Sequence, residues 1–225
     1  MAAALFPTLA SWLYFVVWAH QPWMRWLYVG CKLVQATLPL LGWGWLHLRR
    51  DRPRVLHGGA WAGLGTGALL AAASLAALAG PLGRWAPLAV APARILDRLA
   101  AVGAASPGRY LLLAIGLSVA HSLFEEYYWR WFLFGQLAQR LPLRWALPLA
   151  SAAFALHHWI VIDNFLGGGH RLDATLPLTL LVAAAGALWA WLFQRYRSLL
   201  APWLSHLLVD AALMAAGWRM VAGRW

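Results

Sequence analysis

Seven apolar runs govern what this chain can become. They span 3–19, 27–48, 58–80, 109–138, 144–162, 174–193 and 198–218. At roughly 20 residues each, they match the length a helix needs to cross a hydrocarbon layer about 30 Å thick. Inside that layer every backbone N–H and C=O must find a partner within the protein, so only helices and closed barrels can span it. No ten-residue alternation of the barrel kind is visible. The expectation is therefore an all-α, polytopic membrane protein with about seven transmembrane helices. Composition agrees, with 63% hydrophobic and 11% charged residues, against about a quarter charged in a soluble domain. Disorder and a disulfide-stapled module are excluded on the same ground, since Cys31 is the only cysteine. The net charge of +11 does not indicate nucleic acid, because the cations are scattered between apolar runs as flanking charges. The first run lacks a basic leader and a small-x-small cleavage site, so it reads as an anchor rather than a removable signal.

Within this frame the seventeen tryptophans read as an interfacial belt with no cofactor role; Trp12, Trp18, Trp23, Trp26, Trp43, Trp45, Trp203 and Trp218 lie near run ends. Gly63, Gly65 and Gly67 open a run where helices can approach closely. Residues 93–103 place Ile95, Leu99 and Val102 on one face, with Arg94, Asp97 and Arg98 elsewhere, as a helix lying along the membrane surface would. With a cytoplasmic N-terminus, eight arginines fall in the inside loops and eight on the other side. The inside set is packed into shorter loops, with Arg49, Arg50, Arg52 and Arg54 clustered, and favours that orientation. Residues 163–173, with three consecutive glycines, read as a turn between spans rather than a gate.

The acids are the informative residues. Only seven exist, and Glu125, Glu126 and Asp210 fall inside apolar runs. There each costs about 2.5 to 3.5 kcal/mol on insertion scales. On a helix Glu126 and Arg130 share a face as an ion pair, while Glu125 points about 100° away, toward His121 and Ser122. That spacing divides the labour. Glu126 with Arg130 makes a neutral structural pair and leaves Glu125 an uncompensated, desolvated carboxylate, the condition under which a carboxyl group serves as a general base.

Two further sets repeat the one-turn spacing, Phe154 with His158 and His206 with Asp210. If the three helices converge, Glu125, His158, His206 and Asp210 gather round one polar cavity able to activate water and stabilise an oxyanion. Against this, a single intramembrane histidine is more often a helix–helix hydrogen-bonding residue, and His20, His121 and His157 are read so. Asp210 with His206 also fits a structural pair or a proton relay.

Glu125-Glu126-x-x-x-Arg130, Phe154-x-x-x-His158 and His206-x-x-x-Asp210, in that order and inside apolar spans, resemble the CPBP family, the CAAX protease and bacteriocin-processing (Abi) intramembrane endopeptidases. The resemblance covers roughly 109–218. It divides the chain into N-terminal transmembrane helices of unassigned role, 1–107, and a CPBP-like catalytic core, 108–225. It implies hydrolysis of a peptide bond in a membrane-anchored protein or peptide, by glutamate-activated water. Glu125 would be the base, helped by His158, with His206 and Asp210 at the oxyanion. Glu126, Arg130 and Phe154 would support them. The prenyl-protein enzymes of the family carry Asn at the last position, and an ionised Asp210 has no proton to donate. Asp210 would then orient His206 or be protonated.

With neutral histidines, Glu125, Glu126, Arg130 and Asp210 sum to two negative charges, which a low-dielectric cavity resists. Protons compensate, or Zn²⁺ held by His158, His206 and Glu125 does. No HExxH signature is present, and no cofactor is favoured. The partners expected are a membrane-anchored substrate and the bilayer, with no nucleic acid, in a bacterial cytoplasmic membrane. The rival readings are a proton-coupled transporter, disfavoured by the lack of an internal repeat, and a non-catalytic membrane scaffold.

Overall fold

The computed structural model describes residues 2–19, 21, 23–45 and 58–222. His20, Arg49, Arg50, Arg52, Arg54 and Arg224, and the side chains of Arg25, Trp43 and Trp45, lie outside the described residues. Among those described the chain is helical, with no strand. We number the rods α1 (Ala2–Trp12, continued by a widened π turn, Leu13–Val17), α2 (Met24–Trp45), α3 (Ala60–Ala79), α4 (Ala91–Ala101), α5 (107–138), α6 (Leu143–Phe165), α7 (Leu176–Tyr196) and α8 (Leu200–Val221).

Four helices are long and apolar enough to cross a membrane: Ala60–Arg84, Leu143–Phe165, Arg171–Tyr196 and Leu200–Val221. These are four of the seven expected spans. Two more, Ala2–Val17 and Trp26–Leu41, are apolar but shorter. The second of these lies within α2, whose 22 residues rise about 33 Å. The remaining run, 109–138, does form one unbroken rod, α5, but Arg109, Glu125, Glu126 and Arg130 interrupt its apolar character. Leucines at 69, 111, 112, 180 and 181 point outward, a surface suited to lipid. The protein is an integral membrane protein built of helices.

Local chemistry sets the ends of these rods. Pro107 follows an extended Ser106 and opens α5 at the position where a missing N–H costs nothing. Pro142, itself outside the helix, precedes α6. Arg197 adopts the left-handed region, φ 51°, and lets the chain reverse from α7 into α8.

The glycine run behaves as expected in part. At Gly63 an added Cβ would collide with the backbone of Ala201, and at Gly67 it would sit 2.7 Å from Ser205 Cα. These two glycines, one turn apart, let α3 lie directly on α8. Gly65 faces open space. The segment expected along the surface forms the helix α4, two residues earlier than expected. Leu99 is buried with Ala104, Tyr110 and Val221, and Ile95 packs beside them. Val102 does not join that face: α4 stops at Ala101, Gly103 turns at φ 71°, and Val102 is 56% exposed.

A core of Tyr128, Trp129, Leu133, Phe154, Trp189, Leu192 and Ala201 joins α5, α6, α7 and α8. The N-terminal rods are stitched onto it by hydroxyls: Tyr128 donates to the Ala3 carbonyl at 2.6 Å and Tyr127 to that of Ala36 at 3.1 Å. The glycine loop is tied by Asp163, which accepts from Arg171 at 3.2 Å and Thr175 at 3.3 Å. Gly167 and Gly168 supply its two positive φ angles, both 77°.

Candidate active site

Glu125 and Glu126 lie on a short α-helical stretch, Ser122–Glu126, between two widened turns, Gly116–His121 and Tyr127–Phe134. Such turns occur often where a helix carries function. Both carboxylates are buried, and adjacency on the helix sends them to different partners.

Glu126 serves the frame. Its Oε2 is 3.1 Å from Arg130 Nε, an ion pair whose N–H is not aligned as a hydrogen bond. Its Oε1 accepts from His206 Nδ1 at 2.8 Å. The expected Glu126–Arg130 pair thus extends across to α8. Arg130's terminal nitrogens have no hydrogen-bond partner among the described residues. The guanidinium lies over the rings of Phe154, at 4.3 Å, and Trp189, at 5.1 Å, where the aromatic faces supply the attraction. Gly186 on α7 makes the space: a Cβ there would meet Phe154 Cδ1 at 2.9 Å.

Glu125 faces imidazoles from three rods. Its Oε1 is 3.2 Å from His157 Nε2 and 3.5 Å from His121 Nε2, and its Oε2 is 3.8 Å from His206 Nε2. Because an ionised carboxylate only accepts, His157 donates from Nε2 and its Nδ1 keeps a lone pair, which has no partner among the described residues. His158 Nδ1 donates to the Phe154 carbonyl at 3.0 Å, leaving Nε2 as a free acceptor. His206, with Nδ1 engaged by Glu126, presents Nε2 to Asp210 Oδ1 at 3.5 Å and to Glu125. Two tryptophans fix these rings by stacking: Trp129 on His157, with centroids 5.2 Å apart and planes 4° apart, and Trp189 on His206, at 4.0 Å and 17°.

Glu125, His158, His206 and Asp210 are therefore brought to one place on three helices, with Glu126, Arg130 and Phe154 packed behind them. The donor set that is mutually close differs from the one expected for a metal. Glu125, His157 and His158 each offer one atom within 4.8 Å of the others, so His157 takes the place given to His206. Two imidazoles and a carboxylate are the ligand types of a catalytic zinc centre. The same spacing also suits a water, whose two donated hydrogen bonds hold acceptors about 4.5 Å apart.

Sequence reasoning treated His121 and His157 as helix–helix hydrogen-bonding residues. His157 does bridge α6 to α5, and its acceptor is Glu125 itself. Its adjacency to His158 was the available signal. Trp129 and Trp189 belong to no belt, being 1% and 3% exposed. Trp129, four residues after Glu125, carried a signal in its position; Trp189, four residues from the end of 174–193, did not.

Residues 107–212 match a family model described as Rce1-like, type II CAAX prenyl endopeptidase Rce1-like. That stretch begins at the first residue of α5 and takes in every side chain of the site. No curated protein and no solved structure matches the chain.

Proposed function

From residues 107–212 as an Rce1-like type II CAAX prenyl endopeptidase domain, we propose that the chain is an intramembrane endopeptidase of a bacterial cytoplasmic membrane. It hydrolyses a peptide bond in a membrane-anchored protein or peptide with water activated by Glu125. The observation that carries the reading is the buried Glu125 carboxylate ringed by imidazoles of α5, α6 and α8. A chain this sparing of acids has no structural need for a second carboxylate once Glu126 has paired Arg130 and His206.

In the proposed reaction a water donates one hydrogen bond to Glu125 and one to His158 Nε2, which aims an oxygen lone pair at the substrate carbonyl. Glu125 takes the proton as the C–O bond forms. The oxyanion of the tetrahedral intermediate accepts from His206 Nε2–H. Glu126 and Asp210, on either side of that ring, offset the charge the donor carries. Asp210 acts through His206 and needs no proton of its own. Glu125 then passes its proton to the departing amine as the C–N bond breaks. Glu126, Arg130, Phe154 and the stacked tryptophans hold the rings in register. No cofactor enters this scheme. Were Zn²⁺ bound, Glu125, His157 and His158 would hold it and the metal would supply Lewis-acid activation of the water.

Glu125→Gln tests the reading. It keeps the shape of the side chain and removes the base. Cleavage of a lipid-anchored peptide should fall about 10²- to 10⁴-fold, with membrane insertion and melting temperature unchanged. Turnover at the wild-type rate would refute it.

A further inference from the structure

Lys32 is the one lysine in the chain, against seventeen arginines, and it lies inside the apolar helix α2. A cation in that position is expensive and is a functional candidate once its partner is known. The ammonium lies 5.3 Å from the ring centroid of Phe124 and 5.5 Å from that of Tyr28. Phe124 immediately precedes Glu125. Among the described residues no carboxylate or carbonyl pairs with Lys32, whose ammonium faces only these two rings. Two rings face the ammonium, and among the described residues none of its three N–H donors makes a hydrogen bond. The register is fixed, because Ala36, one turn beyond Lys32 on α2, accepts from Tyr127 of α5.

We propose that Lys32 binds the free C-terminal carboxylate of the substrate, on the leaving side of the bond cut at Glu125. The proposal rests on the peptidase reading and adds the chemistry by which the substrate's end is recognised. Distances on the scale of the fold favour it. Neighbouring helix axes lie about 8–10 Å apart, and three extended residues span about 10 Å. A chain end a few residues past the cut at α5 therefore arrives at α2. A lipid phosphate is a poorer occupant, because Lys32 is nine positions into α2, about 12 Å along its axis.

The experiment uses the full chain in lipid nanodiscs and two dansylated tripeptides of aliphatic residues, alike except that one ends in a carboxylate and the other in a carboxamide. Binding is read on Glu125→Gln, where turnover is slowed about 10²- to 10⁴-fold. The carboxylate form should bind at least about tenfold more tightly, the worth of one charge-assisted hydrogen bond. Adding Lys32→Met should bring the two within twofold, and adding Lys32→Arg should keep the preference. Equal binding on the Glu125→Gln protein, which needs no change at Lys32, overturns the proposal. So does a preference that survives Lys32→Met. The companion measurement is the kcat/KM ratio for quenched peptides ending in farnesyl-cysteine and three aliphatic residues, as carboxylate and as carboxamide. That ratio should fall with Lys32→Met, chiefly through KM. An unchanged ratio refutes the assignment even if both rates drop. A carboxylate preference in binding with no cleavage by the wild type would leave Lys32 as the anion site and remove the peptidase reading.

Discussion

Gly186→Ala is the smallest change that tests whether the frame behind the site is close-packed. The added methyl would stand 2.9 Å from Phe154 Cδ1 and 3.6 Å from Arg130 Nη2. Carbon atoms in contact prefer about 3.5–4.0 Å, so Phe154 or α7 must yield by at least about 0.6 Å. The ring cannot swing aside: Trp129, Trp189, His158 and the Arg130 guanidinium surround it. Overpacking of this kind costs about 1–3 kcal/mol. The helix gains about 1 kcal/mol when alanine replaces glycine, so the two effects compete and the clash should win by about 1 kcal/mol. Phe154 also offers the carbonyl that orients His158 and lies against the ring of His206. A 1 Å displacement of reacting groups can cost about a hundredfold; the smaller shift here should lower kcat about tenfold with little change in KM. Melting temperature and single-turnover kinetics in nanodiscs read the two effects separately. Phe154→Leu added to Gly186→Ala should restore part of the stability, giving a coupling energy of opposite sign to the clash. A Gly186→Ala protein more stable than wild type and fully active would refute the reasoning.

Two other outcomes follow from the geometry. Glu126→Gln leaves the Arg130 guanidinium buried without its counter-charge and weakens the 2.8 Å contact to His206. Loss of one partner of a buried pair costs about 3–5 kcal/mol, so the melting temperature should drop sharply, whereas Glu125→Gln should not lower it. Dialysis against a strong chelator should leave cleavage unchanged. A loss that added Zn²⁺ restores would replace base catalysis by Glu125 with metal-assisted attack at Glu125, His157 and His158.

The polar spacing was legible because it is a property of single helices. Residues four apart share a face, so Glu126 with Arg130, Phe154 with His158 and His206 with Asp210 could be paired before any packing was known. Periodicity does not say which faces of separate helices meet. His157 and His158 are equally plausible inward residues on α6, and only the docking of α6 against α5 assigns His157 to Glu125. Gly186 and Trp189 were silent for the same reason, since α7 carries no polar pair to mark its inner face. Four spans are supported by length and composition, and the first two rods are not among them. Hydropathy in 3–19 and 27–48 is high, and the apolar stretch described in each, Ala2–Val17 and Trp26–Leu41, is 16 residues long. Gly65 shows the limit within a motif: three alternating glycines cannot share a helix face, and Gly63 and Gly67 alone form the seam.

Because Glu125 and Glu126 are neighbours in the chain and strangers in their duties, the segment around them is far more exposed to changes of length than of side chain. A one-residue change of length that the wide turn at Gly116–His121 does not absorb would rotate the next stretch by about 100° and carry both carboxylates off their present faces. Glu126 would keep Arg130, four residues on along the same helix, but lose His206 of α8, and Glu125 would leave the imidazoles of α6 and α8. An insertion there would disable the protein without altering a single group that does chemistry.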